Sequence, residues 1–292
     1  MQNAAALIKG MNEGSFIALA RVLTLVENDI EPYGMLLREL NVNTAVPVIG
    51  ITGPPGAGKS TLVNAITTEL SGLGKRIAIL AVDPTSPFNF GSLLGDRVRM
   101  SRHFNNPSVF IRSLATRGAL GGISAKTVEM VDVLKSGGFD LIIVETVGVG
   151  QSEVEIAGLA DRTIVVLVPE SGDEIQNIKS GLMEIAQAFV LNKADREGAS
   201  SFANTLEKMV KDVPVFRTVA DKNEGIDELC HWLTQPVLAH PDRKLLLLAE
   251  KAFQLIQHYR MKDVDKKRLS TAIGLALQAG DFNMYRFIDE WQ

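Results

Sequence analysis

The stretch Gly53-Pro54-Pro55-Gly56-Ala57-Gly58-Lys59-Ser60 leaves a chain little choice of fold. Before it, Val46 to Thr52 (VPVIGIT) is apolar and β-branched and reads as a buried strand. After it, Leu62, Ala65, Ile66 and Leu70 fall at helical spacing. Strand, glycine-rich turn and helix together make G-x-x-x-x-G-K-[ST] a phosphate-binding loop. Its backbone N–H groups must wrap around phosphate oxygens, and Gly53, Gly56 and Gly58 leave the room that a Cβ would fill. The helix then points its positive dipole end at the same anion. Pro54, Pro55, Ala57 and Thr61 complete the cradle, Lys59 reaches the β- and γ-phosphates, and the Ser60 hydroxyl ligates Mg²⁺.

The rest of the composition excludes more than it selects. With 46% hydrophobic and 22% charged residues the chain can bury one large α/β core. A net charge of −4, without lysine-rich blocks, gives no footprint for nucleic acid or an anionic membrane. The single cysteine, Cys230, rules out an intramolecular disulfide and a thiolate metal cluster. No 18-residue apolar run occurs, and the start MQNAAALIKG lacks the regions of a signal peptide, so a cytoplasmic protein is expected.

Three regions follow from the periodicity: an N-terminal helical region (1–44), a nucleotide domain (45–235) and a C-terminal helical region (236–292). In the first, Gly14 to Asp29 reads as an amphipathic helix, broken at Pro32-Tyr33-Gly34 and resumed from Met35 to Leu40. In the second, strands are predicted at Arg76–Val82, Val109–Ser113, Phe139–Thr146, Arg162–Val168, Ala188–Leu191 and Val213–Ala220. A proline-punctuated linker from Gln235 to Pro241 opens the third. There follow an amphipathic helix through Leu245 and Tyr259 and a helical hairpin from about Lys266 to Trp291, turning near Gly280.

Acidic residues punctuate the strand ends. Asp83 ends the second strand, where a carboxylate either caps the following turn or orders the magnesium water shell. Asp96, in the glycine-flanked run Gly95-Asp96-Arg97, is a second candidate carboxylate for a cation that accepts one or two. His103 has no partner at metal-site spacing and reads as a surface or packing residue. Glu145 closes the fourth strand and Gly148 follows three residues later. That spacing lets a carboxylate reach the metal through water while a glycine N–H meets the γ-phosphate.

The base is read further along. Asn192-Lys193-Ala194-Asp195 follows the sixth strand directly. Guanine presents N1–H and N2–H₂ as paired donors, and Asp195 can accept both, whereas adenine offers nothing comparable. Asn192 can serve N7 and O6, and the Lys193 stem can lie on the ring face. Val219 and Ala220, after the last strand, lie where a backbone N–H can meet O6.

Taken together these segments resemble the ArgK/MeaB group of GTPases. The resemblance is carried by Gly53–Ser60, Asp83–Pro87, Gly95–Met100, Glu145–Glu153, Lys179–Glu184 and Asn192–Asp195, in that order. It implies an α/β P-loop NTPase of the SIMIBI kind, with a mostly parallel sheet flanked by helices, an N-terminal helical cap and a C-terminal helical extension. It further implies Mg²⁺-dependent hydrolysis of GTP to GDP, and a chaperone or gating role for a cobalamin-dependent acyl-CoA mutase of the methylmalonyl-CoA mutase type. By the same resemblance Asp83, Asp96 and Glu145 belong to the magnesium and catalytic shell. Lys179 lies in a third mobile switch segment, and the C-terminal helices form a homodimer arm.

Val149 stands where regulatory GTPases carry a water-orienting glutamine, so slow basal hydrolysis with partner stimulation is expected. Lys179 would then act on the γ-phosphate in the closed state, or be a solvated helix lysine. Two other readings compete. A nickel-delivering GTPase of hydrogenase or urease maturation needs a cysteine and histidine site, against one cysteine and four histidines here. A transport-linked ATPase or kinase is opposed by Asp195.

Overall fold

The computed structural model describes residues 4–83, 100–115, 125–146, 156–172, 182–236, 241–261, 264–280, 282–289 and 291. Contacts within the chain divide it into two compact units, 1–247 and 248–292.

The first unit is built on a seven-stranded sheet: β1 (Val48–Thr52), β2 (Ile77–Asp83), β3 (Val109–Ala115), β4 (Leu141–Thr146), β5 (Arg162–Leu167), β6 (Ala188–Asn192) and β7 (Val215–Thr218). The order is β3-β2-β4-β1-β5-β6-β7, and every described pairing is parallel. The expected strands are all present, with ends shifted by one or two residues. Pro47 has no N–H for a ladder, and β1 starts after it.

Parallel strands covered on both faces read as unbroken apolar runs, and β1, β4, β5 and β6 are buried at every position. Alternate residues serve opposite layers. Ile164 and Val166 join Ile49, Ile51, Ile143 and Val190 under α4 (Lys59–Gly72) and the later helix Ile226–Thr234. Val165 and Leu167 join Phe189 and Leu191 under the helix Ala199–Val210. From β1 the chain runs out through β2 and β3, returns to β4 beside β1, and leaves on the other side through β5 to β7. That reversal beside the central strand is where open α/β sheets bind ligands, at the carboxyl ends of the strands.

The N-terminal helices are α1 (Ala4–Asn12), α2 (Phe16–Glu27) and α3 (Tyr33–Arg38). Helix α1 was not among the expected elements, although Ala4, Leu7 and Met11 give it a buried stripe. Ser15 caps α2 through the Ala18 N–H. The break around residue 32 is narrower than expected: Pro32 is the N-cap of α3, and Tyr33 and Gly34 are already helical. Helix α2 is tied to the sheet by the ion pair of Glu27 with Arg112 of β3, at 2.5 Å. Lys126, on α5 (Ala125–Lys135), pairs with Asp29 at 2.7 Å and Glu129 at 2.6 Å and stacks over the Tyr33 ring.

The remaining helices are α6 (Leu182–Ile185), α7 (Ala199–Val210), α8 (Ile226–Thr234), α9 (Pro241–Met261), α10 (Lys266–Gln278) and α11 (Met284–Asp289). Pro241 belongs to α9 rather than to the linker, because a proline fits the first helical position, where its missing N–H costs nothing. Gly280 takes φ 82° just beyond α10, as the expected turn requires. In the second unit Phe287 packs between Phe282 and Trp291. No described helix is long and apolar enough to cross a membrane.

Candidate nucleotide site

The glycine-rich turn leaves β1 and ends on α4. Gly53 and Gly58 show why no other residue serves there. Gly53 has φ 138°, and an added Cβ would lie 2.1 Å from the Val166 carbonyl oxygen of β5. Gly58 is the N-cap of α4 with φ 86°, and its Cβ would lie 2.4 Å from Asn192 Nδ2. The first close approach is to the neighbouring strand and the second is to the distant base loop. The turn is therefore clamped from two sides.

Lys59 and Ser60 open α4 and are both buried. Lys59 Nζ donates to Gly53 O at 2.7 Å and Pro54 O at 3.0 Å, folding its side chain back across the loop. Ser60 Oγ donates to Glu145 Oε1 at 2.6 Å. Glu145 is buried too and reaches this position because β4 lies beside β1, with Glu145 in register with Ile51. Behind it the Thr146 hydroxyl donates to Thr52 Oγ1 at 3.0 Å, linking the two strand ends. A hydroxyl and a carboxylate touching at a helix N-terminus form a hard-oxygen donor set. The residues present fit a magnesium ion, which prefers one or two such protein ligands.

Asp83 closes β2, in register with Ala115 of β3. Asp96, Gly148, Lys179 and Val149 lie outside the described residues. His103 is buried beside α4, with Nε2 3.4 Å from Thr68 Oγ1, and burial holds its pKa below the usual histidine value. Packing is its part. Among the described residues no group of three or more histidine, cysteine or carboxylate side chains could hold a metal.

At the base end Asn192 is the hub, and this was not legible in the sequence. It is buried and donates from Nδ2 to Ala57 O at 3.0 Å. Its Oδ1 accepts from the Thr218 hydroxyl and the Ala220 N–H, each at 3.2 Å. With Oδ1 taken twice, what Asn192 can offer a base is its second Nδ2 hydrogen. Lys193, at φ 56°, reaches back so that Nζ donates to Gly56 O at 2.8 Å, and its stem joins the loop after β6 to the glycine-rich turn. Asp195 stays at the surface, where Lys222 Nζ donates to its Oδ2 at 2.7 Å. Val219 bridges Glu224 and opens the turn that carries Lys222.

A parallel sheet in this order, with a phosphate-type turn after its central strand and an Asn-Lys-x-Asp loop after β6, defines a P-loop GTPase. Residues 19–242 match the family described as methylmalonyl Co-A mutase-associated GTPase MeaB, and the chain belongs to it. It is a GTP-hydrolysing enzyme, as its relatives are named. The Escherichia coli GTPase ArgK is 36% identical over 300 residues, covering 96% of this chain and 88% of its own. A Pyrococcus abyssi protein is 49% identical over 235 residues, covering 76% of this chain and 72% of its own. Among solved structures, one described as an LAO/AO transport system kinase aligns at TM-score 0.66 and 26% identity, covering 98% of this chain and 95% of that one. The ArgK/MeaB resemblance read from the motifs is thus the family itself.

Proposed function

We propose that this GTPase works with Mg²⁺ as a gate for cofactor loading and protection of a cobalamin-dependent acyl-CoA mutase of the methylmalonyl-CoA mutase type. The observation that carries the reading is the family match across residues 19–242, whose description is of a mutase-associated GTPase. The chemistry follows from the residues. Gly53 to Thr61 hold the phosphates, and Lys59 exchanges its two carbonyl partners for phosphate oxygens. Ser60 and Glu145 would hold the metal, which would supply positive charge to neutralise the phosphates. Asp83 and Asp96 order its water shell, and Gly148 meets the γ-phosphate. Asn192, Lys193 and Asp195 receive guanine, while the Val219 N–H donates to Glu224 O and the Ala220 N–H to Asn192 Oδ1, so Ala220 meets O6 only by exchanging that partner.

Hydrolysis is slow alone, and the client speeds it by ordering the segments that contain Gly148 and Lys179. The protein acts in the cytoplasm as a homodimer joined through its C-terminal helices. What supports the dimer is the apolar surface of the second unit, where Phe253, Leu275 and Tyr285 are 63%, 63% and 81% exposed. GTP turnover measured with and without purified methylmalonyl-CoA mutase tests the reading. The expected result is a rise of about tenfold or more, the scale on which a supplied charge or an ordered water acts. A fast basal rate that no mutase changes would overturn it.

A further inference from the structure

The base-reading aspartate does not stand alone. Asp195 and Lys222 are 27 residues apart in sequence, on the loops after β6 and β7. The two loops are fastened together by Ala194 N–H to Thr218 O at 3.0 Å and by Ala220 N–H to Asn192 Oδ1 at 3.2 Å. The turn bearing Lys222 is closed on itself. Val219 N–H donates to Glu224 O at 3.0 Å, Glu224 N–H to Val219 O at 3.2 Å, and Lys222 N–H to Val219 O at 2.9 Å. Gly225, at φ 72°, ends it so tightly that a Cβ would sit 2.1 Å from Arg217 O. A long lysine normally wanders at a surface. Here its backbone is fixed on the loop next to the carboxylate it meets, while Val219, the residue before Ala220, has no side-chain donor to offer.

We propose that Lys222 is a positioning residue for guanine recognition, anchoring one lone pair of Asp195 so that the carboxylate stands ready for the base. The proposal rests on the reading of Asp195 as the guanine acceptor. A carboxylate has about four acceptor positions on its two oxygens. Lys222 takes one on Oδ2, and guanine N1–H and N2–H₂ need one on each oxygen, so anchor and base bind together without competing. The charges around the pair fit the same arrangement: Arg196 lies beside the carboxylate, and Asp221 and Glu224 lie beside the ammonium. What Lys222 provides is preorganisation, because a carboxylate already held in one rotamer loses less freedom when the base arrives.

A double-mutant cycle with a switched base tests this, using titration calorimetry with Mg²⁺ on the full chain. K222A should weaken GDP binding about two- to fivefold, as for an exposed ion pair, and K222R should recover most of the loss. D195N exchanges a carboxylate for an amide that suits xanthine, whose C2 carbonyl accepts where guanine donates. In that background K222A should change xanthosine diphosphate affinity by less than about twofold, because no carboxylate remains to be anchored. An equal loss in both backgrounds, or none in either, would overturn the proposal while leaving the aspartate's role intact. If D195N fails to shift preference toward xanthosine diphosphate, the guanine reading itself falls, and the anchor with it.

Discussion

The two ends of the nucleotide site are built on opposite principles. At the phosphate end Lys59, Ser60 and Glu145 are buried and locked to one another or to the turn. At the base end Asp195 and Lys222 sit on the surface, with side chains 40% and 52% exposed. Charge near the phosphates acts in a medium that screens it little, so each group there is worth much. Charge near the base is screened by water, and discrimination depends on holding the acceptors in place. Between them Asn192 belongs to both ends, touching Ala57 of the phosphate turn and Thr218 and Ala220 of the base loops.

The largest expected effect lies at the buried end. Lys59→Ala removes the one side chain of the turn that carries positive charge, and hydrolysis of GTP should fall by at least about a hundredfold, the scale for losing a charge-stabilising donor. Phosphate release under saturating GTP measures it. A loss of only a few-fold would mean that the phosphate end is no stronger than the base end, and the contrast would fail.

Asn192→Ala tests the connection between the ends. The substitution leaves the Ala57 carbonyl and the Ala220 N–H without the amide, at a cost of about 1–3 kcal/mol for buried polar groups. Denaturant unfolding reads the stability change, and GDP and inorganic triphosphate binding show whether both ends loosen together. If only GDP binding weakens, Asn192 serves the base alone.

How much of this was legible depends on what each residue answers to. The four strands buried at every position, β1, β4, β5 and β6, were legible as apolar runs, the edge strands β3 and β7 as β-branched and aromatic runs, and the phosphate turn from its glycines. Glu145 was legible because it interrupts an apolar run. Helix α1 carried its stripe openly but is nine residues long, and its fold context lies in α2. Tyr33 and Gly34 joined α3 because Pro32 can stand just outside a helix, a place that a breaker signal does not separate from a gap. The hub role of Asn192 and the partner of Asp195 had no local signature. Both arise from the register that sets β6 beside β7, with Asn192 opposite Thr218.

The smallest effect is the one that isolates the exposed pair. The hydrogen bond from Lys222 holds the Asp195 carboxyl below the ordinary aspartate range, with Arg196 adding to it, and Asp195 raises Lys222 in return. Guanine needs the carboxylate ionised. Because the folded-state pKa is depressed, GDP affinity should stay level above the ordinary aspartate value, near about 3.9, and fall only as the pH drops through the lowered one. K222A lets that pKa climb back, so the acid limb of affinity should move up in pH while the plateau drops slightly. GDP affinity followed from about pH 7 down to about pH 2.5 by fluorescence, a range that spans the ordinary aspartate value and the lowered one, with circular dichroism to confirm the fold at each point, separates the two. Lys59 offers the matching control, since a buried ammonium on the phosphates leaves the limb where it is. A limb that K222A does not move would show that the surface lysine leaves the aspartate's ionisation alone, and the base end would then depend on the loop backbone.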